Sequence, residues 1–161
     1  HDSLTGLPNR KYLMDVLHTT LPLLERQENR CALLYMDLDD FKPINDRHGH
    51  IIGDEVLRTI AIRLQDLLRS SDIVARIGGD EFIAVIRSLN DRQGLETIAA
   101  KIIDTVQEPL LVRGDEYVLS ASIGISIFPD DSREIPELIK KADAAMYWIK
   151  KSVKSNFAFY D

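Results

Sequence analysis

The sequence predicts an α/β fold of the α+β kind, with one mostly antiparallel sheet flanked by helices and a small β-hairpin beside it. Two observations lead to this class. Apolar residues recur with the 3.6-residue period of amphipathic helices in several segments, and short apolar runs typical of strands lie between them. No internal repeat or low-complexity tract interrupts this alternation, so the 161 residues are interpreted as a single domain.

The first part of the chain supplies a helix, a strand and further helix. Residues 10–27 are amphipathic, and Pro22 inside them is expected to kink or restart the helix. Residues 32–36 are continuously apolar, as a strand buried on both faces would be. A polar stretch follows, and residues 54–68 then keep the helical period clearly.

The second part adds strands on both sides of a helix. The predicted elements are strands at 73–77 and 82–87 joined by a glycine turn, a helix over 95–106 that stops near Pro109, a hairpin turning at Gly114–Asp115, a long strand to Phe128, a helix over 135–149 and a closing strand at 156–160. The order is helix, strand, two helices, two strands, helix, hairpin and strand, helix, strand. Its centre is a β-α-β-β-α-β arrangement, a ferredoxin-like split unit.

Acidic residues follow two of these strands at the same edge of the predicted sheet. If the first strand runs upward to Asp37, the long helix returns the chain and the strand at 73–77 runs upward again. The tip of its hairpin therefore lies beside Asp37. We expect Asp37, Asp80 and Glu81 to converge there, with two further aspartates, Asp39 and Asp40, close by.

Such a cluster needs a cation, because crowded carboxylates raise each other's pKa. A hard divalent ion with oxygen ligands suits it, and Mg²⁺ is usual when phosphates supply the remaining ligands. The alternative for the glycine turn alone is a solvated acidic hairpin. The second acidic run at the matching strand end favours the metal site.

Composition restricts the class of function and the cellular setting. The net charge of −6 argues against a nucleic-acid scaffold but permits a nucleotide ligand. The single cysteine, Cys31, lies in an apolar run and is expected to be a buried thiol in a reducing, cytoplasmic setting. The chain opens without Met on the motif "HDSLTGLPNR", so we expect a segment of a longer protein whose upstream part includes a sensor or receiver domain and leaves room for a membrane anchor.

Five motifs in order resemble one known family. They are "DSLTGLPNR", "DLDDFKPINDRHGHIIGDEVL", "RIGGDEF", "SASIGIS" and "KADAAMYWIKK". Together they resemble the GGDEF family, the diguanylate cyclases, along the whole chain. The family's fold resembles the palm of adenylyl cyclases and some polymerases, which agrees with the split unit.

The resemblance implies a reaction in which two GTP molecules condense to cyclic di-GMP and two pyrophosphates. Each 3′-hydroxyl attacks the α-phosphorus of the other GTP, so catalysis requires a homodimer with facing sites. The resemblance also implies two Mg²⁺ (or Mn²⁺) ions per site, held by Asp37, the Leu38 carbonyl and Asp80. Glu81 matches the second signature acid at the catalytic edge, and its role stays open.

The remaining matches concern the approach and grip of the nucleotide. Gly78 and Gly79 match glycines that let the backbone come close to it, and Arg76 is expected to face the same edge. The backbone from Leu38 to Lys42, including Phe41, matches a phosphate cradle.

Further side chains match residues that hold the base and the phosphates. Asn45 and Asp54 match the pair that reads guanine, although Asp54 alone also fits an acid at a helix N-terminus. Lys150 and Lys154 match phosphate-binding cations, and the alternative is a solvated basic helix end. Where the family often has Gly-Arg, this chain has Val153–Lys154, and lysine lacks the guanidinium fork of arginine.

The motif "RSSD" matches the family's inhibitory product site. Arg69 and Asp72 lie at the family's spacing before the signature, which implies feedback by cyclic di-GMP. The alternative is an ordinary helix end followed by a turn.

Two functions remain open on these residues. The first is an active cyclase whose isolated domain is mostly monomeric and weakly active. The second is a non-enzymatic module that binds GTP or cyclic di-GMP to regulate a neighbouring domain.

Overall fold

A computed structural model describes residues 1–87 and 91–161. Its helices are α1 (Arg10–Arg26), α2 (Phe41–His48), α3 (His50–Leu67), α4 (Arg92–Gln107) and α5 (Ile135–Ser152). Its strands are β1 (Cys31–Asp39), β2 (Ile73–Gly78), β3 (Glu81–Arg87), β4 (Leu110–Val112), β5 (Asp115–Tyr117), β6 (Ser120–Phe128) and β7 (Phe157–Phe159). The order of elements predicted from the sequence is confirmed.

Five of the strands form one sheet in the order β2-β3-β1-β6-β7. Neighbouring strands are antiparallel, except that β7 lies parallel to β6. Strands β4 and β5 form a separate hairpin. The predicted class, a mostly antiparallel sheet with flanking helices and a small hairpin, is therefore confirmed.

The central strand β1 is buried on both faces because helices cover both sides of the sheet. Its residues Leu34 and Met36 pack in the cluster that contains α3 and α4. The alternate residues Leu33 and Tyr35 pack in the cluster that contains α1 and α5. Since side chains alternate along a strand, Asp37 continues the series on the α5 side.

A glycine brings α5 onto the sheet. A Cβ at Gly124 of β6 would collide with the Ala142 carbonyl and with the backbone nitrogen of Met146, both on α5. The helix backbone therefore rests directly on β6. This contact aims the C-terminal turn of α5, which carries Lys150, at the edge of the sheet where Asp37 lies.

Two local predictions need correction. Helix α1 continues through Pro22 without a restart, because Leu21 and Leu24 are both buried and hold the turns around the proline against the sheet. Helix α3 begins at His50 rather than at residue 54, since Gly49 with φ of +89° is all that separates it from α2. Asp54 therefore lies in the second turn of α3, and the interpretation as a helix N-terminal acid is wrong.

The prediction that the Cys31 thiol is buried is confirmed. Its side chain is buried, and burial raises the pKa of the thiol to about 12. Among the helices of the described residues, none combines the length and the apolar character needed to cross a membrane.

Candidate functional site

The predicted convergence of acids is present where β1 meets the β2–β3 turn. Asp37 pairs with Glu81 in the antiparallel register of β1 and β3. The Leu38 N–H donates a hydrogen bond to the Asp80 carbonyl at 3.1 Å. We call the cluster of Asp37, Asp80 and Glu81 the acid edge.

The glycine turn leaves the acid edge open. Gly79 has φ of +51°, a conformation that residues with a side chain adopt at a cost. A Cβ added at Gly78 or at Gly79 would meet no atom within 4 Å. The space outside the turn is therefore free for a ligand, as the predicted close approach requires.

Asp37 is the member of the acid edge whose carboxylate is incompletely satisfied. Its Oδ1 atom is buried and has no hydrogen-bond partner within the described part of the chain. Burial and the charge of Asp80 raise the pKa of Asp37 to about 6, although Lys150 acts in the opposite direction. A buried carboxylate oxygen without a partner is costly unless a cation binds it.

Lys150, which the resemblance implies is a phosphate-binding cation, lies at the acid edge. Its ammonium is 3.0 Å from Asp37 Oδ2 and 3.6 Å from Asp39 Oδ1, and it lies 3.4 Å from the Leu38 carbonyl oxygen. Burial lowers the pKa of Lys150, but the hydrogen bond and charge of Asp37 outweigh burial and the pKa is raised.

Asp39 has neighbours of a different kind. Its side chain is fully buried. It accepts hydrogen bonds from the hydroxyls of Ser120 at 2.7 Å and Ser122 at 2.8 Å, and from the Ser155 N–H at 3.0 Å. This carboxylate joins β1, β6 and the segment after α5, and neutral donors satisfy it.

Glu81 is held by a tyrosine. The Tyr35 hydroxyl donates a hydrogen bond to Glu81 Oε1 at 3.2 Å. Burial raises the pKa of Glu81, the charges of Asp37 and Asp143 raise it further, and the Tyr35 bond opposes them. Tyr35 therefore fixes the direction of the second signature acid.

The predicted phosphate cradle coincides with a helix N-terminus. Asp40 adopts the left-handed conformation with φ of +63°, and α2 begins at the next residue, Phe41. The Asp40 side chain makes no capping hydrogen bond, so the first N–H groups of α2, including that of Lys42, have no partner from it. The Phe41 side chain itself is buried, so its contribution to a ligand comes from its backbone.

Asn45 and Asp54 lie on two helices, α2 and α3, that pack against each other. A Cβ at the buried Gly53, the residue before Asp54, would collide with Asn45 Oδ1, so glycine leaves room for the Asn45 side chain between the helices. The same Asn45 oxygen is buried and lacks a hydrogen-bond partner within the described residues. One acceptor of the predicted guanine-reading pair is therefore unsatisfied.

Arg76 lies at the signature turn. Its Nη1 donates to Asp2 Oδ1 at 3.0 Å, and its Nε donates to the Gly79 carbonyl at 3.0 Å. The pKa of Asp2 is lowered, since hydrogen bonds from Thr5 and Arg76 outweigh the effect of burial. Arg76 thus links the signature turn to the N-terminal motif, and its predicted role towards the nucleotide stays a prediction.

Lys154 and the "RSSD" motif lie at the rim of the molecule. Lys154 is 57% exposed and lies 3.7 Å from Asp40, which is also largely exposed, so this ion pair is loose. Asp72 is buried and accepts hydrogen bonds from the Arg87 N–H at 3.1 Å and the Arg69 N–H at 3.3 Å. The Arg69 side chain is 60% exposed beside it. Asp72 orients Arg69 and closes the turn.

The acid edge offers a partial set of metal ligands. In residues 1–87 and 91–161, no group of three or more His, Cys, Asp or Glu side chains is arranged to hold a metal ion. The two carboxylates of Asp37 and Asp80 with the Leu38 carbonyl fit Mg²⁺, which keeps several other ligands from water or phosphate. The unpaired Oδ1 of Asp37 is the observation that favours such an ion.

Sequence reasoning missed several residues of this region. Asp143 lies near Tyr35 and Glu81, and burial raises its pKa. Its spacing of seven from Lys150, two helical turns, places both on one face of α5 and was a usable signal. The partners of Asp39 and the Asp2–Arg76 pair carried no local signal, since each joins segments far apart in the sequence.

The sequence model and the relatives that match this chain indicate the same family. Residues 1–156 match the sequence model described as "Diguanylate cyclase, GGDEF domain". The chain is 39% identical over its whole length to the bifunctional diguanylate cyclase/cyclic di-GMP phosphodiesterase MucR of Pseudomonas aeruginosa, of which it covers 23%. It is 40% identical over 97% of its length to the diguanylate cyclase TpbB of the same species, of which it covers 36%.

Solved structures agree with these relatives. The GGDEF domain of TpbB superposes with a TM-score of 0.96 at 38% identity, covering 100% of this chain and 94% of that one. The GGDEF domain of DgcB from Caulobacter crescentus, solved in complex with c-di-GMP, superposes with a TM-score of 0.89 at 27% identity, covering 99% of this chain and 94% of that one. The chain spans between about a quarter and a third of the curated relatives MucR and TpbB.

Proposed function

The chain belongs to the GGDEF family of diguanylate cyclase domains, and we propose that it condenses two GTP molecules to cyclic di-GMP and two pyrophosphates. The observation that carries the proposal is the unpaired, buried Oδ1 of Asp37 next to Asp80. Asp39, the neighbouring acid on β1, is satisfied by hydrogen bonds within the protein, whereas the acid edge keeps one oxygen without a partner.

Asp37, Asp80 and the Leu38 carbonyl would hold two Mg²⁺ or Mn²⁺ ions together with the nucleotide. Ions held by these residues would supply Lewis-acid chemistry, making an attacking hydroxyl more acidic and neutralising charge on the pyrophosphate. Glu81, oriented by the Tyr35 hydroxyl at 3.2 Å, would present a fixed acceptor at the same edge.

The other residues of the site would bind and orient GTP. The first N–H groups of α2, at Phe41 and Lys42, suit phosphate oxygens because a helix N-terminus favours anions. Lys150 and Lys154 add positive charge on the same side. The unsatisfied oxygen of Asn45 and the carboxylate of Asp54 accept from the N1–H and N2 amino groups of guanine, which adenine lacks.

Catalysis would require two copies of the chain. Each chain has one acid edge on one sheet, and the product joins two nucleotides by two equivalent bonds. A two-fold homodimer with facing sites meets this requirement. The relatives are much longer than the chain, which supports further domains that bring two copies together. Among the structural neighbours, SiaD was solved with its activator SiaC.

Product inhibition is supported by the position of Arg69. Its guanidinium is exposed, and the buried Asp72 orients it. Two structures of the DgcB protein contain c-di-GMP. In this chain Arg69 would contact the phosphates of cyclic di-GMP, whereas Asp72 would hold Arg69 in place.

A second candidate is a binding module without turnover. Some relatives carry names that refer to the opposite reaction, such as the cyclic di-GMP phosphodiesterase PdeR of Escherichia coli, which is 33% identical over 99% of this chain. In a protein of that kind the GGDEF region would bind GTP or cyclic di-GMP to regulate its neighbour.

Turnover decides between the two candidates. The chain, fused to a dimeric coiled coil, is incubated with GTP and Mg²⁺, and products are separated by chromatography. We expect cyclic di-GMP, and we expect Asp80→Ala to abolish it while the far-ultraviolet circular dichroism spectrum stays unchanged. GTP binding without product would favour the module, and an unchanged rate in Asp80→Ala would refute the metal assignment.

A further inference from the structure

We propose that Lys150 serves as the resident cation of the acid edge in the nucleotide-free protein and is exchanged for the metal ion when metal and GTP enter together. The inference rests on the proposed function, because it takes Asp37 and Leu38 as metal ligands. It adds that metal binding and nucleotide binding are coupled through one side chain.

The positions of the contacts carry this inference. The Lys150 ammonium lies 3.0 Å from Asp37 Oδ2 and 3.4 Å from the Leu38 carbonyl oxygen. These are two of the three groups proposed to bind the metal. The ammonium thus contacts the Leu38 carbonyl that a metal ion would share, and it neutralises at Oδ2 the carboxylate that the ion would bind through the unpaired Oδ1.

The ammonium and a metal ion exclude each other at these atoms. Mg²⁺ binds oxygen at about 2.0–2.1 Å and demands near-octahedral geometry, so a ligand oxygen that also faces an ammonium is poorly available. Two cations on one Asp37 carboxylate, the metal ion at Oδ1 and the ammonium at Oδ2, would also repel each other in a partly buried site. Full coordination of a metal ion by Asp37 and the Leu38 carbonyl therefore requires Lys150 to leave.

The structure allows Lys150 to leave at little cost to its second neighbour. Asp39 lies 3.6 Å from the ammonium but is already bonded to two serine hydroxyls and the Ser155 N–H. Asp37 has no comparable set of donors, and one of its oxygens is unpaired. Loss of Lys150 therefore exposes an unmet charge at Asp37, the acid that a metal would bind.

The Lys150 side chain can also reach an alternative binding partner. Its side chain is 27% exposed on the last turn of α5 and has a flexible four-carbon stem. Nucleotide phosphates at the acid edge would attract the ammonium away from Asp37. Each ligand then favours binding of the other. The nucleotide draws Lys150 away from the metal site, and the metal ion replaces the positive charge of Lys150 beside Asp37. Such coupling is reciprocal in binding free energy.

The experiment measures the affinity for Mn²⁺ without nucleotide, by electron paramagnetic resonance of free Mn²⁺. The variants are Lys150→Met and Lys151→Met, which remove the same charge from adjacent positions. Lys151 is exposed and lies over the Tyr147 ring at 4.6 Å, away from Asp37. We expect Lys150→Met to bind Mn²⁺ at least about fivefold more tightly than the wild type, the lower end of usual coupling, and Lys151→Met to change affinity less than about twofold.

Two results would overturn the exchange: no gain in Lys150→Met, or an equal gain in both variants. Adding Asp37→Asn to Lys150→Met should remove the gain, and its persistence would place the metal elsewhere and refute the inference as well.

A separate arm tests the metal site of the proposed function with Lys150 intact. There, Asp37→Asn should weaken Mn²⁺ binding in the presence of an unreactive GTP analogue. If it does so while Lys150→Met shows no gain, the proposed metal site stands and the exchange alone fails.

Discussion

The two ends of the β2–β3 hairpin both carry aspartates, but the protein treats them in opposite ways. At the start of β2, the buried Asp72 accepts from the backbone of Arg69 and Arg87 and pairs with the Arg69 guanidinium. At the turn, Asp80 faces Asp37, which keeps a buried oxygen without a partner and a raised pKa. A satisfied acid serves the fold, whereas an unsatisfied acid at an open edge is available to a ligand.

The largest expected effect concerns activity at the turn end. Asp37→Asn should lower cyclic di-GMP formation by about a thousandfold or more, since a metal contributes several kcal/mol and about 4 kcal/mol corresponds to that factor. Unfolding in urea should be unchanged or slightly harder, because a poorly satisfied charge is removed. Asp15→Asn, an exposed acid on α1, is the control and should retain activity. A rate in Asp37→Asn within tenfold of the wild-type rate would contradict the proposed role of the turn end in binding a ligand.

The second effect concerns stability at the opposite end. Asp72→Ala should lower the free energy of unfolding by about 2–3 kcal/mol, because two backbone N–H groups and the Arg69 ion pair lose a charged acceptor. Asp66→Ala, an exposed acid on α3, should change it by less than about 0.5 kcal/mol. Urea denaturation measures both. A loss at Asp72 no larger than that at Asp66 would contradict its structural role.

A smaller effect is expected in the pH dependence of stability. Asp37 has an ordinary pKa of 3.8 and a folded pKa of about 6, so the folded state binds more protons between these values. Stability should therefore fall as pH rises from about 4 to about 6. After allowance for solvent screening, we expect Asp37 to account for about 1–2 kcal/mol of this fall. The test is the difference between wild type and Asp37→Asn in urea at each pH, and a constant difference would refute it.

The smallest effect concerns Tyr35, which donates a hydrogen bond to Glu81 of the signature motif. Tyr35→Phe removes the hydrogen bond to Glu81 and should cost about 1 kcal/mol or less in stability. Because that bond lowers the pKa of Glu81, the variant should raise it. Titration of the Glu81 carboxyl by nuclear magnetic resonance measures this shift, and an unchanged or lower pKa would exclude the contact.

The sequence predicted the parts of the fold and site that depend on the direction of the strands and on the period of the apolar residues. Alternating helices and strands determined the parity that places Asp37 beside Glu81, and the register confirms it. The start of α3 was misplaced because "HIIGDE" looks polar, while Gly49 alone divides two nearly continuous helices. Periodicity does not reveal such a break.

Other parts depend on contacts that no local pattern encodes. Arg76 pairs with Asp2, 74 residues away, and Asp39 is satisfied by serines of β6 and the Ser155 N–H. These partners meet only when the sheet has formed and Gly124 has seated α5 on it. The contact of Lys150 with Asp37 was not predicted, since the family resemblance implies only a phosphate-binding cation at Lys150.

The most direct test of the difference between the two ends of the hairpin is to locate the metal ions. Crystals of the chain with Mn²⁺ and an unreactive GTP analogue would give anomalous difference peaks at the ions. We predict two peaks about 3.5–4 Å apart at the acid edge, within coordination distance of Asp37 and Asp80. Peaks found only elsewhere, with Oδ1 of Asp37 still without a partner, would contradict the central claim that this end of the hairpin keeps a carboxylate oxygen available for a metal-bound nucleotide.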